Sequence, residues 1–155
     1  MKMNSVCFTG HREIPADRVE YIEESLLKII RHLYAEGYRY FHTGGARGFD
    51  TLAAKAVLAL HAECPLICLR LVLPCKEQAA RWSEEDKRVY EEIKMWADDI
   101  IYTSEHYTRY CMHERNRRLV DESAVCVCYL QKPTGGTAYT VDYAEKKGLD
   151  IIFIT

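Results

Sequence analysis

The sequence lacks any apolar run near the roughly 18 residues that a membrane-spanning helix requires. Residues 1–5 lead directly into a strand-like segment, so we expect neither a signal peptide nor a membrane partner. The chain has 7 cysteines, an odd number, and no Cys-x-x-Cys pair, so we expect no disulfide framework and no bound metal. These absences predict a soluble protein of the reducing cytoplasm.

A strong charge of one sign is also lacking. The formal net charge is only −2, so the chain as a whole does not attract nucleic acid, and any polyanion site must be local. We therefore do not expect nucleic acid as a partner. At 155 residues the chain is long enough to bury a core, and it is predicted to form one domain over residues 1–155. The oligomeric state, a homo-oligomer included, is left open.

What is present is an alternation of strand-like and helix-like segments along the whole chain. Strand-length apolar runs alternate with stretches whose apolar residues recur at helical spacing. The predicted strands are residues 5–9, 38–42, 65–73, 98–103, 124–130 and 151–154, and the predicted helices are residues 17–33, 51–61, 83–97, 108–122 and 135–148. Asp17 and Ser83 are the expected helix caps, and Gly37 closes the first helix. The pattern predicts an α/β fold with a mostly parallel sheet of about six strands and helices on both faces.

Glycine-containing turns follow the first, second and fifth predicted strands. In a parallel sheet the ligand lies beyond the carboxyl ends of the strands, where these turns would meet. Glycines let backbone N–H groups point at an anion, and the next helix adds its positive end. We predict a phosphate-bearing ligand that contacts these turns and the basic fourth helix. The predicted ligand residues are Gly10, His11, Arg12, Gly44, Gly45, Arg47, Gly48, Asp50, Arg115, Asn116, Gly135, Gly136 and Thr137.

Three of these motifs, in their order along the chain, resemble the SLOG superfamily: residues 44–50, 115–117 and 135–137. This superfamily joins the DNA-processing protein DprA (Smf) and the LOG-type nucleotide phosphoribohydrolases. Residues 7–12 and 78–82, together with the Gly-Gly-Thr-Ala-Tyr-Thr stretch from Gly135, are most similar to its small YpsA-like branch. The resemblance covers nearly the whole chain. It implies a Rossmann-like, three-layer fold and a nucleotide-type ligand, and it establishes no cofactor.

Resemblance to the LOG branch implies an enzyme that cuts the N-glycosidic bond of a nucleoside monophosphate with an arginine and a glutamate. Residues 112–115, Met-His-Glu-Arg, resemble the LOG motif Met-His-x-Arg, which makes Arg115 the counterpart of that arginine. Thr140 stands where the glutamate is expected, and a hydroxyl cannot serve as the carboxylate. Glu114 or Asp50 would have to take its place as a catalytic group. Whether the protein turns over a substrate is therefore left open.

Resemblance to DprA implies single-stranded nucleic acid instead. Residues 46–50 and 115–118 resemble DprA motifs, and Arg109, Arg117 and Arg118 could join Arg115 in meeting phosphates. The negative net charge favours the alternative that these arginines form a solvated helix face.

The function that we predict from the sequence is binding of a nucleotide or nucleotide-derived ligand, such as a nucleoside monophosphate or an ADP-ribose-like molecule, in a sensing module. Arg12 and Arg47 would add bidentate contacts to the phosphate. Asp50 either accepts ribose hydroxyls or serves as a structural carboxylate at a helix start. Trp82 either stacks a base or closes the edge of the core. The LOG-type hydrolase and the DprA-like module are the alternatives.

Overall fold

In the computed structural model, which describes residues 1–155, six strands alternate with five α-helices. In chain order the elements are β1 Ser5–Gly10, α1 Val19–Ala35, β2 Tyr40–Thr43, α2 Phe49–Ala59, β3 Cys68–Leu73, α3 Glu84–Trp96, β4 Asp99–Tyr102, α4 Cys111–Asp121, β5 Val125–Tyr129, α5 Gly136–Lys146 and β6 Asp150–Phe153. Short 3-10 turns lie at Lys2–Asn4 and Ala16–Arg18. The alternation predicted from hydrophobic periodicity is confirmed.

All six strands form one parallel sheet in the order β4-β3-β2-β1-β5-β6. The chain builds outward from β1 to β4 and then returns to place β5 on the other side of β1. The strand order therefore reverses between β1 and β5, which is where such folds leave a crevice at the carboxyl edge. The predicted α/β, Rossmann-like fold with a parallel sheet is confirmed.

Side chains alternate between the two faces of the sheet, and each face has its own apolar cluster. Val6 and Phe8 of β1 pack with α1, α2 and α3, whereas Cys7 between them packs with α4 and α5. The period of two along the strand and the helices on either side give three layers. No helix combines the length and the apolar character that crossing a lipid bilayer would demand.

The ends of several elements differ from the predicted ones by two or three residues. Ser83 caps α3 as predicted, because its hydroxyl accepts the Asp86 backbone N–H at 3.1 Å. Gly37 follows α1 with a φ of +105°, as a closing glycine does. The prediction for Asp17 was wrong: it lies inside the 3-10 turn, and α1 starts after Arg18 without a side-chain cap. The Arg18 N–H donates to the Pro15 carbonyl at 2.9 Å and forms a 3-10 turn ahead of the helix, so Asp17 is not at the capping position.

Candidate functional site

A cavity of about 420 Å³ lies at the carboxyl edge of the sheet, at the reversal of strand order between β1 and β5. The loops after β1, β2 and β5 form its walls together with one face of α4. Most of the predicted ligand residues line it: Gly10, His11, Arg12, Arg47, Asp50, Arg115, Asn116, Gly135, Gly136 and Thr137. Parallel strands bring distant loops to one edge, which is why residues from four parts of the chain meet here.

The start of α5 is open toward this cavity. Gly135 precedes the helix with a φ of +105°, no side chain caps the first turn, and that turn contains no acidic residue. A Cβ placed on Gly135 or Gly136 would meet no atom within 4 Å. The first N–H groups of a helix have no partner inside the helix and carry its positive dipole end. This turn can therefore accept an anion from outside the protein.

Besides the buried Arg115, three cationic side chains line the cavity without a salt-bridge partner: Arg12, Arg47 and Lys132. The acidic residues of the lining are Glu13 and Asp50. Sequence reasoning did not identify Lys132. It lies in the loop between β5 and the Gly135 turn, and that position at the strand-order reversal was the only available signal.

Arg115 is buried at the back of the cavity and is held in place by neutral partners. Its Nη1 donates to the Gly44 carbonyl and, at 3.4 Å, to the Gln78 side-chain oxygen, and its Nε donates to Asn116 Oδ1 at 2.8 Å. Burial lowers the pKa of this guanidinium, while the nearby Asp50 carboxylate acts in the opposite direction. Arg115 thus contributes positive charge from a fixed position.

Asp50 lies in the first turn of α2, directly after the glycine turn that follows β2. Its Oδ2 accepts the Ala46 backbone N–H at 3.2 Å. Burial raises the pKa of Asp50 to about 6, against the opposing effect of Arg115. One backbone N–H of this turn, that of Ala46, is therefore already bound to a carboxylate of the same chain.

Gly44, Gly45 and Gly48 do not line the cavity, and packing explains each of them. A Cβ on Gly44 would lie 2.5 Å from Arg115 Nη1, and one on Gly45 would lie 2.5 Å from Leu73 Cδ2. At Gly48, where φ is +73°, a Cβ would lie 2.3 Å from the Arg12 carbonyl oxygen. These glycines allow the β1 loop, α4 and the core to approach the β2 turn closely.

His11 joins the loops after β1 and β5. Its Nε2 accepts the Gln131 backbone N–H at 2.8 Å, and its ring meets Tyr129 edge-on at 5.9 Å between centroids. Burial, reinforced by Lys132, lowers the pKa of His11. A neutral imidazole with its proton on Nδ1 fits these contacts, so His11 braces the cavity wall.

Two further predicted residues, Glu114 and Trp82, lie outside this cavity. Glu114 is on α4 but exposed, and it does not line the cavity. Trp82 is half-buried, contacts the core through Tyr90, and faces a neighbouring cavity. No three histidine, cysteine or acidic side chains converge as a metal site would require.

Residues 6–155 match the YspA SLOG family. The chain belongs to this family. It is 29% identical over 136 residues to a UPF0398 protein of Oceanobacillus iheyensis, and the alignment covers 86% of this chain and 73% of that relative. It is 30% identical over 138 residues to the SPbeta prophage-derived protein YoqJ of Bacillus subtilis, with 81% of each chain covered. The predicted placement in the SLOG superfamily, in its YpsA-like branch, is confirmed.

Solved structures share the fold of this SLOG protein at low sequence identity. DprA from Streptococcus pneumoniae superposes with a TM-score of 0.72 at 18% identity, over 99% of this chain but only 50% of that protein. A DprA from Helicobacter pylori, studied for its single-stranded DNA binding mode, superposes with a TM-score of 0.68 at 18% identity, over 97% of this chain and 65% of that protein. TM1055 gives 0.62 at 18% identity over 97% and 72%. At such identity these likenesses show the fold alone.

Thr140, which stands where LOG enzymes carry their glutamate, is buried in this SLOG protein. Its hydroxyl donates to the Gly136 carbonyl at 2.8 Å, within the first turn of α5. Its hydroxyl is therefore engaged within the helix, and the side chain offers no carboxylate to the cavity. The remaining carboxylate near Arg115 is Asp50.

Proposed function

We propose that this protein binds a nucleotide or a nucleotide-derived ligand and that a phosphate of the ligand lies at the start of α5. The observation that carries the proposal is the open, uncapped Gly135–Gly136 turn, which faces a cavity at the strand-order reversal. Helix starts of this kind bind phosphates through backbone N–H groups, and this edge of the sheet is the usual ligand position.

The electrostatics of the cavity support an anionic ligand. Arg12, Arg47 and Lys132 are free to contact it from the walls, while Arg115 adds charge from behind. Because the pKa of Asp50 is raised to about 6, a part of the opposing negative charge is removed as pH falls toward that value. The cavity has a positive balance although the whole chain carries a net charge of −2.

A thermal-shift and calorimetric titration of the purified chain with nucleoside monophosphates and ADP-ribose tests the proposal. A ligand that binds only the folded protein raises its melting temperature with concentration. Gly136→Val should abolish this shift and leave the fold intact, because a Cβ there meets no protein atom within 4 Å and the added methyl groups would occupy space at the helix start. Lys132→Ala should weaken binding. Lys146→Ala, at the far end of α5, is the matched charge control and should bind as the native chain does.

Gly45 is unsuitable for this test, because a side chain there would strike Leu73 and damage the core. If Gly136→Val binds nucleotide with undiminished affinity, the start of α5 is not the phosphate site. If no nucleotide shifts the melting temperature of the native chain, the proposed function is wrong.

Nucleotide hydrolysis is the second candidate function, favoured by Asp50 in the same cavity as Arg115. A carboxyl whose pKa is about 6 can donate or accept a proton near neutral pH, and the guanidinium can stabilise developing charge. Chromatography of the titration mixtures tests this candidate, because a phosphoribohydrolase releases free base. Bound nucleotide that stays intact supports a sensor.

A single-stranded oligonucleotide belongs in the same titrations because of the structural likeness to DprA. Strand binding falls with salt by a log–log slope of about −0.7 for each neutralised phosphate, whereas a compact phosphate pocket shows a shallower dependence. We expect the shallower behaviour and the tighter binding for the small ligand.

A further inference from the structure

A second cavity of about 560 Å³ lies beside the first at the carboxyl edge of the sheet. The loops after β3 and β4 form its walls together with the first turn of α4. We call it the aromatic pocket and define it by Arg81, Trp82, Tyr107 and Met112, with Arg47 at its border. The phosphate site proposed above does not use it.

The two cavities share part of their walls. Arg47 lines both of them. Arg115, at the back of the first cavity, donates to Gln78 at 3.4 Å and contacts Met112 Sδ at 3.8 Å, and both of these residues line the aromatic pocket. A ligand that extends past Arg47 therefore passes from one cavity into the other along the protein surface.

The aromatic pocket has the chemistry that holds a flat heterocycle. Trp82 is fixed by its edge-on contact with Tyr90, at 5.1 Å between ring centroids, and the Arg47 guanidinium lies 5.6 Å from the Trp82 ring. Tyr107 is 64% exposed, so its ring is available to a ligand. Its loop is tied to the β3 loop by the 3.0 Å contact between His106 Nδ1 and Glu77. Aromatic rings and guanidinium planes of this kind stack nucleobases.

We propose that the aromatic pocket binds the base of the nucleotide whose phosphate lies at the start of α5. The proposal rests on the proposed function and extends it, because it assigns a position to the base. It also names the residues that hold the base, Trp82 and Tyr107.

The separation of the two subsites indicates an elongated ligand. The phosphate turn follows β5, and the aromatic pocket follows β3 and β4. Because β1 and β2 lie between β5 and β3, the subsites are three strand spacings apart, or about 14 Å. A nucleoside monophosphate is too short to fill both. A nucleoside diphosphate, free or with a sugar or similar group attached, reaches farther: its distal phosphate would lie at the start of α5 and the phosphate nearer the base would lie by Arg47.

Tryptophan fluorescence isolates the base subsite, because the chain has only 2 tryptophans and the other one, Trp96, is 66% exposed on α3. In the full chain carrying Trp96→Phe, Trp82 is the only reporter. The probes are ADP-ribose and the common ribonucleoside diphosphates, with ribose 5-phosphate as the ligand without a base. We expect the base-bearing probes to quench Trp82 and ribose 5-phosphate to leave its emission unchanged.

Tyr107→Ala in the same background should lower the affinity for the base-bearing probes about tenfold, as the loss of one stacking ring does. The affinity for ribose 5-phosphate should not change. Tyr107 is exposed, so this variant should fold normally. Tyr110→Ala is the matched control, since Tyr110 is also exposed but does not line the pocket. One outcome would contradict base binding in the aromatic pocket and leave the proposed function standing. In it, calorimetry detects nucleotide binding that Gly136→Val abolishes, but Trp82 is not quenched and Tyr107→Ala has no effect. Failure of every nucleotide to bind would overturn both.

Discussion

Replacing Asp50 with asparagine should remove a large part of the pH dependence of folding stability between about pH 4 and pH 7. Asp50 is 7% exposed, and burial raises its pKa from the ordinary value of 3.8 to about 6. Asparagine keeps a similar shape and can still accept the Ala46 N–H, but it does not titrate. The difference between the two proteins therefore isolates the ionisation of Asp50.

The direction of the pH dependence follows from whether the folded or the unfolded state binds the Asp50 proton more tightly. Below pH 3.8 Asp50 is protonated in both states, and its contribution to stability is fully present. As pH rises from 3.8 to about 6, the unfolded chain loses this proton first, so the folded state becomes less stable relative to it. A change of pKa from 3.8 to about 6 corresponds to roughly 3 kcal/mol, which is lost once pH exceeds about 6.

Urea unfolding of both proteins across this pH range measures the effect. The free energy of unfolding of the native chain, minus that of Asp50→Asn, should fall by roughly 3 kcal/mol from about pH 4 to pH 7. Asp142→Asn, which removes an exposed carboxylate on α5, controls for general charge effects. A difference that stays constant, or rises with pH, would refute the conclusion that burial dominates the environment of Asp50.

Two further predictions concern stability alone, each measured as a shift of the urea midpoint at unchanged slope. Gly10→Ala should destabilise the protein by about 1–3 kcal/mol or more, because the alanine Cβ would lie 2.3 Å from Cγ of the buried Phe49 ring. An unchanged urea midpoint would mean that the ring can move aside. Ser83→Ala should cost about 1 kcal/mol, because the Asp86 N–H loses its cap; no change would show that water replaces the hydroxyl there.

The sequence predicted the fold well because hydrophobic periodicity is a local property. Strand-length apolar runs and helical spacing identify the elements, and alternation of the two predicts a parallel sheet. The convergence of Gly10, Arg115 and Gly136 also followed, because the carboxyl ends of parallel strands share one edge. Exact element ends were less accessible, as the uncapped start of α1 shows, because a 3-10 turn that a capping motif does not reveal precedes this helix.

The roles of individual site residues depended on contacts between distant parts of the chain. The need for glycine at position 44 arises because Arg115, 71 residues away, lies against it. Lys132 is part of no periodic pattern or motif, and only the loop geometry brings it to the cavity. Neither contact leaves a trace in the local sequence, so most residues that line the cavity could be predicted while the contacts among them could not.

The two glycine turns look alike in sequence, yet a single carboxylate gives them opposite roles. Asp50 lies in the first turn of α2, and it accepts the Ala46 N–H of the turn that precedes this helix. The first turn of α5 has no acidic residue, so the N–H groups there keep their capacity to bind an anion from outside. An acidic residue at a helix start acts as an internal anion and competes with any phosphate for the same donors. We therefore expect an external phosphate to bind at the Gly135–Gly136 turn, while the β2 turn holds Arg115 and the β1 loop in place.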